Sequence, residues 1–213
     1  MFTGDEWFQQ AEEIRFLLKK LQAKGSFFFT GNLYRNKKFA PILQRIINDG
    51  HYLGPHSDQH LLYCDWTKRD SLLVDKQTFT KDLLANIEAM PVEAIDKATL
   101  KYFIPPYEWY NDSIAKWSTE LGFQLFNFTP GLITNADYTT PEMKNYKSST
   151  TILEQAIAME KSNPSGLNGF ILLSHIGTDP KRKEGTLSYL FPLLNYLNRK
   201  GYRFVAVNEL LRH

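Results

Sequence analysis

The apolar residues of this chain alternate between helical and strand-like spacing. Residues 9–23 place apolar side chains at helical intervals, with acidic residues early and lysines late, as the helix dipole favours. Ser26–Thr30 is a short continuous apolar run, which is typical of a buried strand. The same alternation predicts helices over 37–48, 79–90, 112–121, 149–160 and 185–199. It predicts strands over His51–Gly54, Tyr102–Ile104, Gln124–Phe128, Gly169–Ser174 and Arg203–Val207, and then a short C-terminal helix.

This alternation predicts an α/β fold with a parallel sheet and external helices. The number of units favours a (β/α) barrel, complete or incomplete, and a doubly wound open sheet is the alternative. A chain of 213 residues fits one domain, so we expect a single domain over residues 1–213. Because barrel enzymes carry their chemistry at the carboxyl ends of strands, functional residues should directly follow predicted strands.

Composition and charge narrow the classes of function. Hydrophobic residues make up 43% and charged residues 23% of the chain, which is typical of a soluble globular protein. The formal net charge of +2 does not indicate a nucleic-acid-binding protein. No apolar run is long enough to predict a membrane span. The single cysteine, Cys64, excludes an intrachain disulfide and is expected to be buried rather than reactive.

Two histidines form the strongest candidate site. His56 and His60 follow the predicted strand His51–Gly54, and a helical turn here would place both imidazoles on one face. The pattern favours a shared metal ion over two surface histidines. A catalytic metal usually has three protein ligands, so a carboxylate must come from elsewhere. Asp5 is a candidate because it follows strand-like residues, although on its own it is better explained as an acid at the start of a helix.

A third histidine, His175, directly follows the predicted strand Gly169–Ser174. It is either a core histidine with satisfied hydrogen bonds or a general acid, a task for which imidazole is well suited near neutrality. Asp137 lies in the loop 134–138, where it either supports His175 or forms an Asx-turn, and the sequence alone favours the turn. The prolines and aromatic residues of 103–110 either line a groove or pack on the core.

Taken in order, these motifs resemble the polysaccharide deacetylase (NodB-homology) family, carbohydrate esterase family four. Gly50–His60, GHYLGPHSDQH, is similar to the family pattern G-H-x-x-G-x-H-[ST]-x-x-H. Lys24–Gly31 (KGSFFFTG) and Leu173–His175 (LSH) resemble two further family motifs, K-A-T-F-F-V-x-G and L-x-H. The resemblance implies a distorted (β/α)7-type barrel of the NodB-homology kind. It also implies metal-dependent removal of N- or O-linked acetyl groups from a carbohydrate substrate.

The resemblance assigns a metal set. A divalent ion would be held by Asp5, His56 and His60. Zinc is the expected metal, and cobalt, nickel or iron(II) suit the same ligands. Water bound to the metal would attack the acetyl carbonyl.

Further roles follow from the same resemblance. His175 would be the general acid, and Asp137 would support it. Tyr138 would line the pocket, and Tyr107 and Trp109 are expected to bind the sugar.

Two positions depart from the family pattern. The first family motif reads T-F-D-D-G, and Gly4 stands where its first aspartate, the base, would be. Ile104 stands where the family motif R-x-P-[FY] has the arginine that holds this base. The joint absence of the aspartate and the arginine is physically consistent, because an arginine without its carboxylate partner would be a buried unpaired charge. Glu6 is the nearest replacement carboxylate, and Asp58 is the second.

Three functions are compatible with this sequence. An active deacetylase with a changed base is preferred, because a protein that only binds has less need of His175. The alternatives are a non-catalytic carbohydrate-binding relative and a metal-dependent amidohydrolase that cleaves another non-peptide C–N bond. We also expect a longer natural N-terminus, because the first candidate residue arrives at position 5. The resemblance implies a periplasmic or secreted protein if that segment is an export signal.

Overall fold

The protein is an alternation of short parallel strands and helices. The computed structural model describes residues 1–91, 95 and 99–212. The strands are β1 Phe2–Gly4, β2 Ser26–Phe29, β3 Tyr52–Pro55, β4 Tyr102–Phe103, β5 Gln124–Leu125 and β6 Ser174–His175. The helices are α1 Ala11–Lys20, α2 Gly31–Arg35, α3 Ala40–Asn48, α4 Lys76–Ala89, α5 Asp112–Glu120, α6 Ser149–Ser162, α7 Leu187–Arg199 and α8 Val207–Leu210. This order confirms the predicted α/β class.

The chain divides into two compact units, each with its own parallel strands. Unit 1 comprises residues 1–25 and 128–213, and unit 2 comprises residues 26–127. In unit 1, β1 pairs in parallel with β6, and Thr3 lies opposite His175. In unit 2, β2 pairs with β3 and β4 pairs with β5, also in parallel. The single domain over residues 1–213 stays a prediction.

The apolar run of β2 forms the centre of unit 2. Phe27, Phe28 and Phe29 are fully buried, so both faces of the strand are covered, as its unbroken hydrophobicity predicts. Phe28 lies opposite Gly54 of β3. A Cβ atom at Gly54 would approach the Phe28 ring to 2.3 Å, so only glycine allows this close pairing.

The predicted strand over Gly169–Ser174 is mostly wrong. Regular pairing is limited to β6, which contains only Ser174 and His175. Upstream, the Ile171 amide donates to the Thr129 hydroxyl at 2.9 Å, and the Ile171 carbonyl accepts from the Thr129 amide at 3.1 Å. A side-chain bond thus replaces part of the strand ladder, and the extended segment is not a β-strand.

Other predicted elements also differ from the structure, and β5 keeps only Gln124 and Leu125 of the predicted strand Gln124–Phe128. Arg203–Val207 does not form a strand, and α8 begins at Val207. The predicted strand Ser26–Thr30 ends one residue early, because Thr30 caps α2 by accepting from the Leu33 amide at 3.3 Å.

The burial of the single cysteine affects the pKa of its thiol. Cys64 is fully buried, as expected, and this burial raises the pKa of its thiol.

Among the helices of the described residues, none combines the length and the apolar character that crossing a membrane requires.

Candidate active site

The histidine pair lies in the loop that follows β3. His56 is the first residue after the strand and is buried, whereas His60 is half-buried. Their ring centroids are 5.2 Å apart. The predicted helical turn is wrong: residues 56–60 are not helical, and Ser57 and His60 have φ values of 76° and 54°. The two rings meet edge-on, at an interplanar angle of 62°, in a loop with two left-handed residues.

A buried carboxylate of α4 holds this loop. One oxygen of Asp82 accepts from the Asp58 amide at 3.2 Å and from the Tyr63 hydroxyl at 2.7 Å. The other oxygen accepts from the Gln59 amide at 3.1 Å. Burial, together with the negative charge of Asp82, raises the pKa of Tyr63 well above its usual value, so Tyr63 stays a hydrogen-bond donor. Asp82 therefore accepts three hydrogen bonds, two from the backbone of the histidine loop and one from Tyr63.

Asn86, one turn further along α4, fixes the beginning of the loop. Its amide oxygen accepts from the His56 backbone amide at 2.9 Å, and its amide nitrogen donates to the Phe29 carbonyl at 3.1 Å. Asp82 and Asn86 both lie on the buried face of the helix. Sequence reasoning missed them, although two polar residues four positions apart on an apolar helix face were the available signal.

The backbone at Ile104 sets the orientation of the His56 ring. The Nδ1 atom of His56 lies 2.8 Å from the Ile104 carbonyl oxygen. Because a carbonyl oxygen only accepts, Nδ1 carries the proton, and the lone pair of the neutral ring is on Nε2. Histidines that ligate metals in proteins usually donate their other ring nitrogen in this way. The hydrogen bonding of His56 therefore fits the role of a metal ligand.

Asp58, the second replacement carboxylate, is tied into an ion pair. Its Oδ1 atom lies 2.6 Å from Nη1 of Arg35, and this hydrogen bond raises the pKa of the Arg35 guanidinium. Gly31 makes room for the carboxylate, because a Cβ atom there would lie 1.8 Å from Oδ1. Asp58 is 6% exposed, and its carboxylate is already paired with the Arg35 guanidinium.

Aromatic rings surround His60. The Tyr107 ring lies 4.4 Å from the His60 ring, centroid to centroid, and Tyr107 is 44% exposed. Tyr107 has a φ of 59°, a conformation that turns the chain sharply after Pro105. Trp109 is half-buried, and its indole nitrogen donates to the Asp65 carbonyl at 3.1 Å. These rings lie at the surface of unit 2 rather than in its core.

In unit 1, Asp137 and His175 form a hydrogen-bonded pair. The Nδ1 atom of His175 lies 2.6 Å from Oδ1 of Asp137, which is fully buried. The contact that the resemblance implies between these two residues is therefore present, in place of the Asx-turn. With Nδ1–H donated to the carboxylate, Nε2 is the ring nitrogen that exchanges a proton.

Two hydroxyl groups complete the surroundings of Asp137. Oδ2 accepts from the Thr186 hydroxyl at 3.0 Å and from the Tyr189 hydroxyl at 2.9 Å. Burial and the charge of Asp137 raise the pKa of Tyr189 well above its usual value, which keeps Tyr189 a donor. The sequence alone gave no reason to select Thr186 or Tyr189, since a helix start and a core tyrosine explain them equally well.

Tyr138 lies beside the acid pair. Its ring centroid is 5.6 Å from that of His175, in an edge-on arrangement, and 42% of the residue is exposed. An exposed aromatic ring in contact with the imidazole is suited to form one wall of a substrate pocket.

Asp5 and its neighbours follow β1 in unit 1. Gly4 is the buried last residue of the strand, Asp5 is half-buried, and Glu6 is exposed. Asp5 and His56 each directly follow a strand, as expected. Within the part of the chain that the structure describes, no group of three His, Cys, Asp or Glu side chains is arranged to hold a metal ion. The set of Asp5, His56 and His60 stays a prediction.

Comparison with known proteins gives consistent relatives. A family model described as polysaccharide deacetylase matches residues 5–126. A peptidoglycan-N-acetylglucosamine deacetylase of Bacillus cereus is 26% identical over 202 residues, which cover 92% of this chain and 79% of that protein. A chitin deacetylase of Arthroderma benhamiae is 27% identical over 201 residues, which cover 92% of this chain and 46% of that protein.

Solved structures share the fold. A peptidoglycan N-acetylglucosamine deacetylase superposes with a TM-score of 0.71 at 20% identity, covering 98% of this chain and 86% of that one. A mutant of a Bacillus anthracis pseudoenzyme of carbohydrate esterase family four, with restored activity, gives a TM-score of 0.70 at 18% identity. That match covers 99% of this chain but only 66% of the pseudoenzyme chain. The likeness confirms the predicted α/β fold of the NodB-homology kind.

Proposed function

Because this chain belongs to the polysaccharide deacetylase family, we propose that it removes acetyl groups from an acetylated oligosaccharide or polysaccharide. The observation that carries the proposal is the Asp137–His175 pair at the end of β6, with Nδ1 and Oδ1 2.6 Å apart. A protein that only binds has less need of an imidazole that is held by a buried carboxylate. The names of the relatives point to N-acetylglucosamine units, as in peptidoglycan or chitin.

His175 acts as the general acid. The buried carboxylate of Asp137 stabilises the imidazolium and fixes the ring, so that Nε2–H is presented to the leaving amine or alcohol. Proton donation of this kind typically contributes about 10²–10⁴-fold to the rate.

Asp5, His56 and His60 hold a divalent metal ion in this proposal. Two histidines and one carboxylate suit zinc, and also cobalt, nickel or iron(II). The Ile104 carbonyl supports the assignment, because it leaves the lone pair of His56 on Nε2. A bound divalent cation supplies Lewis acidity, which activates water and stabilises negative charge on the acetyl oxygen.

Glu6 takes the place of the missing base. It follows Asp5 directly, and its exposed side chain has the freedom to reach a water molecule. Asp58 is the weaker candidate because Arg35 already neutralises it.

The sugar contacts three aromatic residues, Tyr107, Trp109 and Tyr138, since exposed aromatic faces suit the C–H faces of pyranose rings.

A non-catalytic carbohydrate-binding role is the second candidate. Gly4 and Ile104 stand where the family has its base and the arginine that holds it. A protein of the same fold has been described as a pseudoenzyme, which supports the existence of such relatives.

Both roles require access to polymers such as peptidoglycan, which lie outside the cytoplasmic membrane, so we propose a secreted or periplasmic location.

Acetate release distinguishes these roles. The protein is incubated with N-acetylated chitooligosaccharides and with peptidoglycan, with and without a chelator, beside the variants His175→Ala and Glu6→Gln. The proposal expects release that chelation abolishes and that both substitutions reduce. Release that persists in the chelator would exclude the metal set, and equal rates for wild type and Glu6→Gln would exclude Glu6. Glycan binding without any acetate would select the second candidate.

A further inference from the structure

A short hairpin of unit 2 presents a tryptophan to solvent. Cys64 and Leu72 form an antiparallel bridge, and two backbone hydrogen bonds flank it. We refer to residues 63–73 as the 63–73 hairpin. Its tip carries Trp66, which is 55% exposed, the same fraction as Phe16 of α1. A large aromatic side chain held this far into water loses hydrophobic stabilisation that burial would provide.

Trp66 belongs to a series of rings that begins at the candidate metal site. Tyr107 contacts the His60 ring with centroids 4.4 Å apart. Trp66 contacts the Tyr107 ring edge-on at 5.4 Å and lies 5.7 Å from the Trp109 ring, at an interplanar angle of 32°. The three aromatic rings therefore form a continuous surface that leads away from His60, which we call the aromatic platform.

The platform is held in place before any ligand binds. The indole nitrogen of Trp109 donates to the Asp65 carbonyl at 3.1 Å. The Arg69 guanidinium lies over the Trp109 ring at 4.3 Å, and its Nε atom donates to the Tyr110 carbonyl at 2.5 Å. These contacts connect the 63–73 hairpin to the segment that carries Tyr107 and Trp109. Binding to such a surface requires little further ordering of side chains.

The tip of the hairpin is fixed in the same way. The Asp65 carboxylate accepts from the Thr67 amide at 2.8 Å, from the Thr67 hydroxyl at 2.7 Å and from the Lys68 amide at 2.7 Å. These bonds lower the pKa of Asp65 below its usual value, with the Lys68 amide contributing most. Trp66 thus lies between residues whose backbone is pinned on both sides.

We propose that Trp66 is a specificity-determining residue that stacks on a sugar unit adjacent to the one whose acetyl group reacts. This inference rests on the proposed function. A pyranose ring offers C–H groups on its face and hydroxyl groups at its edge, and the platform offers aromatic faces next to the Arg69 guanidinium. Because Tyr107 lies between His60 and Trp66, a single sugar at the reaction centre does not require Trp66, whereas a longer chain does.

The test compares a short and a long ligand on the full chain. The dissociation constants of N-acetylglucosamine and of N-acetylated chitotetraose are measured by calorimetry for wild type, Trp66→Ala and Trp66→Phe. Acetate release from chitotetraose is measured in parallel. The matched control is Phe16→Ala, since Phe16 is equally exposed and lies on α1. We expect Trp66→Ala to weaken chitotetraose binding by about tenfold and to leave the monosaccharide unchanged. Trp66→Phe should restore most of the affinity, and Phe16→Ala should change neither ligand.

Each other result has a defined meaning. Unchanged chitotetraose binding by Trp66→Ala, or an equal loss for both ligands, overturns the proposal. If wild type releases acetate and Trp66→Ala binds chitotetraose like wild type, the deacetylase function is supported and the proposed role of Trp66 is wrong. If the length-selective loss is present but wild type releases no acetate, the platform stands and deacetylation is wrong.

Discussion

Asp137 holds His175 at two points. Its Oδ1 atom lies 2.6 Å from Nδ1 of the ring, and its Oδ2 atom accepts from the His175 backbone amide at 3.0 Å. One carboxylate therefore fixes both the imidazole and the backbone at the end of β6. A change at Asp137 alters the charge beside the ring as well as its orientation, and the two effects can be measured separately.

The first prediction concerns Asp137→Asn. The amide keeps the shape but lacks the charge that stabilises the imidazolium, so kcat for acetate release should fall by about 10²-fold. The alkaline limb of the pH–rate profile should also move to lower pH, because the general acid loses its proton more readily. Asp179→Asn is the matched control, since the Asp179 carboxylate caps the Lys181 amide instead. A lower rate with an unmoved profile would contradict the charge argument.

The second prediction concerns the polar face of α4. Asn86→Ala removes the acceptor of the His56 amide and leaves this buried donor unsatisfied, at a cost of about 1–3 kcal/mol in the free energy of unfolding. Affinity for zinc, measured by calorimetric titration of the apoprotein, should fall by about tenfold. Leu84→Ala on the same helix changes a side chain that is 50% exposed and should leave zinc affinity unchanged. Equal zinc affinity for Asn86→Ala and wild type would remove Asn86 from the support of the site.

The third prediction concerns the vacant base position. In a Glu6→Gln background, which lacks the proposed base, Gly4→Asp should raise acetate release by about 10²-fold, because the resemblance implies a carboxylate at this position. Gly4→Asn has the same size without the charge and should show no gain. A similar rate for both variants would mean that the position does not supply the base in this chain.

The fourth prediction concerns stability in acid. The Ser149 amide donates to Glu184 at 2.6 Å, and this bond lowers the pKa of Glu184 below its usual 4.5. The folded pKa is lower than the unfolded one, so the stabilisation is complete above the unfolded pKa and is lost as the pH falls through the folded pKa. Glu184→Gln should therefore melt about 1–3 °C below wild type at neutral pH, with the difference closing as the pH falls below the usual glutamate pKa.

Thermal melts across this pH range measure that effect. Glu154→Gln, on the exposed surface of α6, is the control and should follow the wild-type curve. If the gap between Glu184→Gln and wild type stays constant down to pH 3, the carboxylate does not stabilise the folded chain through its charge.

The sequence predicted the regular elements better than the loops. Phe27, Phe28 and Phe29 form an unbroken apolar run, and such a run requires burial on both faces. The loop from His56 to His60 was predicted to be helical, because spacing of four suggests a helical turn. Its left-handed residues, Ser57 and His60, flank Asp58 and Gln59, whose amides donate to the Asp82 carboxylate of α4. No local pattern encodes this tertiary contact.

The same limit applies to the acid pair. The sequence alone favoured an Asx-turn for Asp137, which is the local choice for an aspartate in a loop. In the structure, the carboxylate instead binds partners 38 to 52 positions away, His175, Thr186 and Tyr189. The family resemblance supplied the correct contact because it carries the three-dimensional arrangement of known proteins, whereas spacing carries only neighbours along the chain.

Ile104 has a consequence for how such a chain can change over time. Its side chain is buried, but the group that orients His56 is its backbone carbonyl. Every amino acid supplies that carbonyl, so a substitution at this position changes the side chain and leaves the backbone acceptor of His56 intact. The hydrogen bond that orients His56 is therefore insensitive to side-chain changes at position 104. The proposed base, Glu6, depends on the identity of its side chain. In the function that we propose, metal binding and turnover would therefore respond to different substitutions.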